Sequence, residues 1–357
     1  MNPQDIDTPA QSRPEPMVAP GELIDAVPLP MLLIGQDERI ARINAPARAV
    51  FGDCEGRHYL IVIRQPEPAS AIERALRGEA AGALSWRNSG AGRERHYQGK
   101  VTALSDGSVS FAFQDVSDVE HAADMRRDFV ANVSHELRTP LTALMGFVET
   151  LRGAAKDDPA ARDRFLGIME REALRMNRLV GELLSLSRVE AEERVRPTAR
   201  IEPQTLVLSA LNTLRPMADA AGVSLETDFA KSLPAIRADF DQMTQVLHNL
   251  IENAVKYGGS GGRVQVSLRL LPHDAQLRGP AVSIAVRDFG EGIPAIHLPR
   301  LTERFYRVDS HRSREKGGTG LGLAIVKHIL NRHRGRLKIE SREGEGSSFQ
   351  IILPAAD

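Results

Sequence analysis

The chain has 357 residues, 42% of them hydrophobic and 26% charged, with a formal net charge of -1 and a single cysteine. That length exceeds what one hydrophobic core usually serves, so two or three compact domains are expected, and the composition excludes global disorder and fibrous classes. A near-neutral balance gives no one-signed field to attract nucleic acid, so no direct nucleic-acid partner is expected, and Cys54, lacking a second thiol, fits a reducing compartment and a small buried hydrophobe.

In chain order, residues 1–20 hold Pro3, Pro9, Pro14, Pro16 and Pro20 among small and polar residues and read as a flexible tail without signal-peptide order. Ala26 to Ile34 is apolar but far shorter than the roughly twenty residues of a spanning helix, so no transmembrane anchor is expected. Residues 21–116 alternate short apolar stretches (Met31 to Ile34, Ile40 to Ile43, His96 to Leu104, Val109 to Phe113) with turn signals at Gln36-Asp37-Glu38 and Ser105-Asp106-Gly107 and a helical piece from Ala69 to Leu76. This pattern predicts a small α+β domain.

From 117 to 195 the period becomes helical. Phe129, Val133, Leu137, Leu141, Leu144, Val148 and Leu151 form one apolar stripe, Asp157-Asp158-Pro159 breaks it, and Phe165, Ile168 or Met169, Met176, Leu179 or Val180, Leu183 and Leu186 carry a second. Two long amphipathic helices in a hairpin present more apolar face than one pair covers, so a dimeric four-helix bundle is expected. Residues 200–357 alternate helices (Leu206 to Ala221, Asp239 to Tyr257) with strands (Val223 to Phe229, Arg263 to Leu270, Val282 to Asp288), predicting an α/β domain with one helix layer on a mixed sheet.

Four segments carry chemical signals. In Phe129-Val-Ala-Asn-Val-Ser-His135-Glu136-Leu-Arg-Thr139-Pro140, His135 lies about 180° from the apolar stripe, with Thr139 on the same exposed face. Neutral imidazole is a nucleophile near neutral pH and the adjacent Glu136 can take a ring proton, although an exposed His beside a Glu is by its chemistry alone more often an ordinary solvated face. On the helix ending at Tyr257, Asn249, Glu252, Asn253 and Lys256 share the polar side, a set that suits a hard cation and phosphate or simply solvent. Asp288-Phe-Gly290-Glu-Gly292-Ile293 puts a carboxylate and glycines at a strand end, where an exocyclic amine can be bound. Finally Arg304-Phe305-Tyr306-Arg307 leads into a polar, basic loop, Ser310 to Gly317, with His311, Arg312, Arg314 and Lys316, expected to act as a mobile lid. Gly318-Thr319-Gly320-Leu321-Gly322-Leu323 then opens a helix whose N–H groups face an anion; no strand precedes it, which excludes a dinucleotide loop.

The histidine segment resembles the phosphoacceptor box of sensor histidine kinases related to the phosphate-regulon sensors, and the later segments resemble that family's N box and three glycine boxes, the third being Gly344-Glu-Gly346-Ser-Ser348-Phe349. The resemblance covers residues 117–357. It implies a helical hairpin dimer followed by an α/β sandwich ATP-binding domain of the gyrase and chaperone ATPase type, with protein-histidine kinase activity. His135 would be the phosphoacceptor, Glu136 the general base and Thr139 the residue that positions water for phosphatase action. ATP would be bound by Asn249, Asn253, Lys256, Tyr257, Asp288, Gly290, Gly292, Ile293, Phe305, Arg307, Lys316, Gly318, Thr319, Gly320, Leu321, Gly322 and Leu323, with Mg²⁺ on Asn253 and Asn249. The implied partners are a second copy of the chain and a response regulator that receives the phosphoryl group on an aspartate.

Residues 21–116 look like a PAS sensor domain, and Asp115-Val-Ser117 resembles the junction that feeds such domains into a signalling helix. Unlike the phosphate-regulon sensors, this sequence shows no membrane helices, so the expected location is the bacterial cytoplasm, with any membrane association through a partner. Two rival readings are a dedicated regulator phosphatase and an ATP-binding scaffold.

Overall fold

The computed structural model describes residues 20–79, 82–90, 93–308 and 318–356. The chain divides into two compact units, with the boundary after Asp128.

The first unit contains α1 (Pro20–Asp25), β1 (Met31–Ile34), β2 (Ile40–Ile43), α2 (Ala45–Phe51), α3 (Tyr59–Val62), α4 (Pro66–Leu76), β3 (Ala83–Gly90), β4 (Arg93–Ala103) and β5 (Val109–Asp115). The strands form an antiparallel sheet in the order β2-β1-β5-β4-β3. Leu32, Ile34, Ile40, Ile43, Ile72 and Phe111 are fully buried, as is Cys54. Asn44 is buried where β2 turns into α2: its Oδ1 accepts the N–H groups of Met31 and Ala47, both at 3.0 Å, capping the helix and tying it to β1. Strand β3 is not among the elements the sequence predicts, because Ser85, Arg87 and Asn88 dilute its apolar signal. Trp86 secures it by stacking on Tyr97 of β4 at 5.4 Å between ring centroids.

Helix α5 (Ser117–Arg152) runs without interruption through Pro140, which is buried. Asp158 caps α6 (Pro159–Glu192), its side chain accepting from the N–H of Ala161 at 3.0 Å, and the proline fits the first turn where no N–H is needed. There follow β6 (Arg200–Ile201), α7 (Pro203–Ala220), β7 (Ser224–Phe229), β8 (Ile236–Arg237), α8 (Phe240–Gly258), β9 (Arg263–Asp274), β10 (Gly279–Asp288), α9 (Gly322–Arg332), β11 (Arg336–Arg342) and β12 (Gly346–Pro354). The large sheet has the order β11-β12-β10-β9-β7 and is mixed, β7 pairing parallel to β9 and the other pairs antiparallel. The last two strands, β11 and β12, complete the sheet in a region where the sequence alone shows only a glycine box.

Leu179, Leu186 and Val189 of α6 are buried in one continuous core with α7, α8, α9 and the sheet. Hairpin and α/β layer are thus packed together through the C-terminal half of α6. Ion pairs run along the same seam, from Glu190 to Arg304, from Glu193 to His328 at 3.3 Å and from Glu192 to Arg332 at 3.1 Å. Leu174, Val180 and Leu184 lie on the exposed side of α6, and Leu141, Met145 and Val148 are exposed on α5. Among the described residues, no helix is long and apolar enough to cross a membrane.

Candidate functional site

Helix α8 supplies one wall. Asp239 caps it by accepting from the N–H of Gln242 at 3.1 Å, and Met243, Val246, Leu247, Leu250, Ile251 and Ala254 are buried against the sheet. The 3.6-residue period then aims Asn249, Glu252, Asn253 and Lys256 into a cavity of about 350 Å³. That volume is in the range of small-molecule sites. Lys256 Nζ donates to Glu252 at 2.9 Å, and Asn249 Nδ2 lies 3.4 Å from the carbonyl of Gly322, leaving its amide oxygen toward the start of α9.

The floor is the end of β10. Asp288 lines the cavity and is buried, and its Oδ1 accepts from the N–H groups of Gly290 at 3.0 Å and Ser347 at 3.3 Å, which fixes that oxygen. Burial pushes its carboxyl above the usual range, partly offset by those two N–H donors. Gly292, with φ of 72°, passes so close to the carbonyl of Arg342 that a Cβ would sit 2.0 Å from its oxygen, so only glycine lets the loop close there.

The remaining wall comes from the glycine loop ahead of α9 and from the hairpin. Thr319 is buried and donates its hydroxyl to Glu182 of α6, while accepting from the N–H of Leu321 at 3.3 Å. Burial raises the Glu182 carboxyl; the Thr319 bond and the charges of Lys256 and Arg178 oppose that rise.

Thirteen of the expected ATP contacts line this cavity: Asn249, Asn253, Lys256, Tyr257, Asp288, Gly292, Ile293, Arg307, Gly318, Thr319, Gly320, Gly322 and Leu323. Gly290, Phe305 and Leu321 do not line it but hold the lining in place. Gly290 anchors Asp288, Phe305 donates its N–H to the carbonyl of Gly320 at 2.9 Å, and Leu321 is wholly buried. Lys316 and the expected lid, Ser310 to Gly317, fall outside the described residues.

Sequence reasoning missed Arg178, Glu182, Glu291, Leu301, Tyr306 and Val308 as lining residues. Arg178 and Glu182 had only a helical polar face as their signal. The donors present fit a nucleotide with a hard divalent cation: amide oxygens and a carboxylate on α8, an ammonium beside them, and backbone N–H groups at the start of α9.

His135 and Thr139 are exposed on α5 and do not line the cavity. The Thr139 hydroxyl donates back to the carbonyl of His135 at 3.1 Å. Glu136 does not line the cavity either; its Oε2 accepts from Arg175 of α6 at 3.1 Å and lies 3.6 Å from Arg307, whose guanidinium also donates to the carbonyl of Gly318. Arg307 therefore bonds to both the acceptor helix and the rim of the cavity.

Comparison with known proteins accords with this arrangement. The family model of the His Kinase A (phospho-acceptor) domain matches residues 125–192, and that of the histidine kinase-, DNA gyrase B- and HSP90-like ATPase matches residues 238–357. The sensor-like histidine kinase SenX3 of Mycolicibacterium smegmatis is 39% identical over 260 residues, 72% of this chain and 65% of that protein. The phosphate regulon sensor protein PhoR of Pseudomonas aeruginosa is 40% identical over 236 residues, 66% of this chain and 52% of that protein. The chain thus spans between about half and two thirds of the length of these curated relatives. A crystal structure of histidine kinase ThkA in complex with the response regulator protein TrrA shares the fold, with a TM-score of 0.51 at 20% identity over 94% of this chain and 98% of that one. The chain thus carries a phospho-acceptor domain of the His Kinase A family followed by an ATPase domain of the histidine kinase-, DNA gyrase B- and HSP90-like family, and it is similar over these regions to sensor histidine kinases.

Proposed function

We propose that the protein is the kinase of a two-component pair, phosphorylating itself on His135 from ATP and passing the phosphoryl group to an aspartate of a response regulator. The observation that carries this is the cavity that joins the polar face of α8, Asp288 and the glycine loop, linked through Arg307 to the helix that bears His135.

In the first step a ring nitrogen of His135 bonds to the γ-phosphorus, the bond to the bridging oxygen of ADP breaks, and the proton on the other ring nitrogen passes to Glu136. Asp288 would accept a hydrogen bond from the exocyclic amine of adenine, Lys256 and the N–H groups of the glycine loop would hold the phosphates, and Asn253 and Asn249 would hold Mg²⁺. The cation, when bound, offsets charge on the phosphate chain. Most of the acceleration then comes from alignment of the two reacting groups.

The exposed apolar residues of the hairpin, Leu141, Met145, Val148, Leu174, Val180 and Leu184, support a homodimeric four-helix bundle as the working form. In the domain division that goes with this reading, residues 21–116 are a sensor, 117–195 the phosphotransfer hairpin and 200–357 the catalytic domain. The antiparallel five-stranded sheet of the first unit supports a PAS-like sensor there. Thr139, exposed one turn beyond His135, fits a second activity, dephosphorylation of the regulator. The absence of a spanning helix among the described residues is compatible with a cytoplasmic location.

Incubation with γ-labelled ATP and Mg²⁺ tests the reading. Label that is acid-labile and base-stable on the wild type, and missing from His135→Gln, is expected; wild type that takes no label refutes it.

A further inference from the structure

A base beside a nucleophile on a helix has a geometric problem. Consecutive residues project about 100° apart, so His135 and Glu136 do not face each other by virtue of the helix alone. Something must hold the Glu136 carboxylate where the imidazole can use it.

The hairpin provides such a holder. Arg175, on the facing helix, donates from Nη2 to Glu136 Oε2 at 3.1 Å across 39 residues of sequence. The contact is sheltered, the two side chains being 17% and 20% exposed. Glu172, one turn earlier on α6, lies 3.7 Å from the other guanidinium nitrogen, Nη1, and orients Arg175 in turn. On the far side Arg307 approaches the same Oε2 at 3.6 Å. Both cations gather on one oxygen, Oε2, which ties the carboxylate of Glu136 down between the two helices.

We propose that Arg175 is a positioning residue for the phosphorylation of His135, acting through Glu136. The inference rests on Glu136 being the general base. Arg175 is absent from the lining of the nucleotide cavity, unlike Arg178 one turn on, so its effect falls on the transfer step and not on ATP binding. The planar guanidinium of arginine satisfies Glu136 and Glu172 from two different nitrogens, a geometry that the single ammonium of lysine reproduces only in part.

The test is a double-mutant cycle on the full chain, read as initial rates of His135 labelling at saturating ATP, with ATP affinity measured alongside. Arg175→Gln is expected to lower turnover about tenfold or more, within the ~10²–10⁴-fold that a positioned base supplies, with ATP affinity unchanged. Arg175→Lys is expected to recover part of the loss. In a Glu136→Gln background, Arg175→Gln is expected to cost nothing further. Turnover equal to wild type in Arg175→Gln overturns the proposal, and so does a loss of the same factor in both backgrounds, which marks a purely structural role. If Arg175→Gln fails to fold, the same cycle is run with Arg175→Lys and judged by the same two criteria. Glu136→Gln with wild-type turnover overturns the proposal together with the general-base reading, whereas label persisting in His135→Gln sinks the acceptor assignment itself.

Discussion

Replacing Leu186 by alanine tests whether the hairpin and the ATPase layer are one packed body. Leu186 is 1% exposed and belongs to the core that α6 shares with α7, α8, α9 and the sheet. The substitution removes three carbons, about 2.4 kcal/mol at ~0.8 kcal/mol for each buried methylene, and leaves a cavity that adds to this, so a loss of about 3 kcal/mol is expected. For a cooperative unit of this size, at roughly 2–4 °C per kcal/mol, the melting temperature should fall by about 6–12 °C. Calorimetric and urea unfolding at several protein concentrations measures it. The control is Leu184→Ala on the same helix, where the side chain is 66% exposed. Within one chain that change costs at most ~0.5 kcal/mol, and any larger loss should shrink as protein concentration rises, since it reports on the proposed dimer face. A Leu186→Ala loss below about 1 kcal/mol would refute the shared core.

Three further outcomes follow from the site. A Cβ on Gly258 would sit 2.2 Å from Cβ of Asp288, so Gly258→Ala should displace the carboxylate at a strain of ~1–3 kcal/mol and weaken ATP binding about tenfold, read by titration calorimetry; unchanged affinity would contradict the role of Asp288. Glu182 places a carboxylate in the cavity that phosphates must enter, so Glu182→Gln should tighten ATP binding about tenfold while leaving adenosine unaffected, and weaker ATP binding would show that the carboxylate works with the nucleotide instead. His333 is held neutral, mainly by burial, with Nε2 accepting from the N–H of Asp239 at 3.0 Å and Nδ1 facing the carbonyl of Ile329 at 2.7 Å. Its folded-state pKa lies below the unfolded value near 6.5, so the unfolded chain binds the extra proton first, and the contribution of His333 to stability is complete above about pH 6.5 and declines as pH falls through the folded value. Denaturant midpoints at about pH 5 and about pH 7.5 should therefore differ more in wild type than in His333→Gln; equal differences would refute it.

Much of the fold and site is legible in the chain because period and chemistry coincide. On α8 the apolar residues fall at helical spacing, so the polar face with Asn249, Asn253 and Lys256 follows from the sequence alone, and the same spacing puts His135 outside the stripe through Phe129 and Leu137. The boxes at Asp288 and Gly318 are readable because glycine spacing and a strand-end carboxylate are local features. What escapes is non-local. Nothing near Arg178 or Glu182 marks them as cavity residues; only the packing of Leu179, Leu186 and Val189 onto the ATPase layer brings them there. The pairing of Arg175 with Glu136 depends likewise on the hairpin turn that brings two distant segments of sequence side by side. Strand β12 hides because its small polar start, Ser347 and Ser348, reads as a loop until it pairs with β10 and β11.

Phosphate on His135, drawn from ATP bound in the cavity, is the direct product of the proposed reaction. Mass spectrometry of the protein after brief incubation with MgATP, digested at neutral to basic pH so that phosphoramidate survives, should find phosphate on the peptide containing His135 and on that residue within it. Phosphate carried by a different residue, or a fully unmodified His135 in protein that binds ATP, would contradict the account.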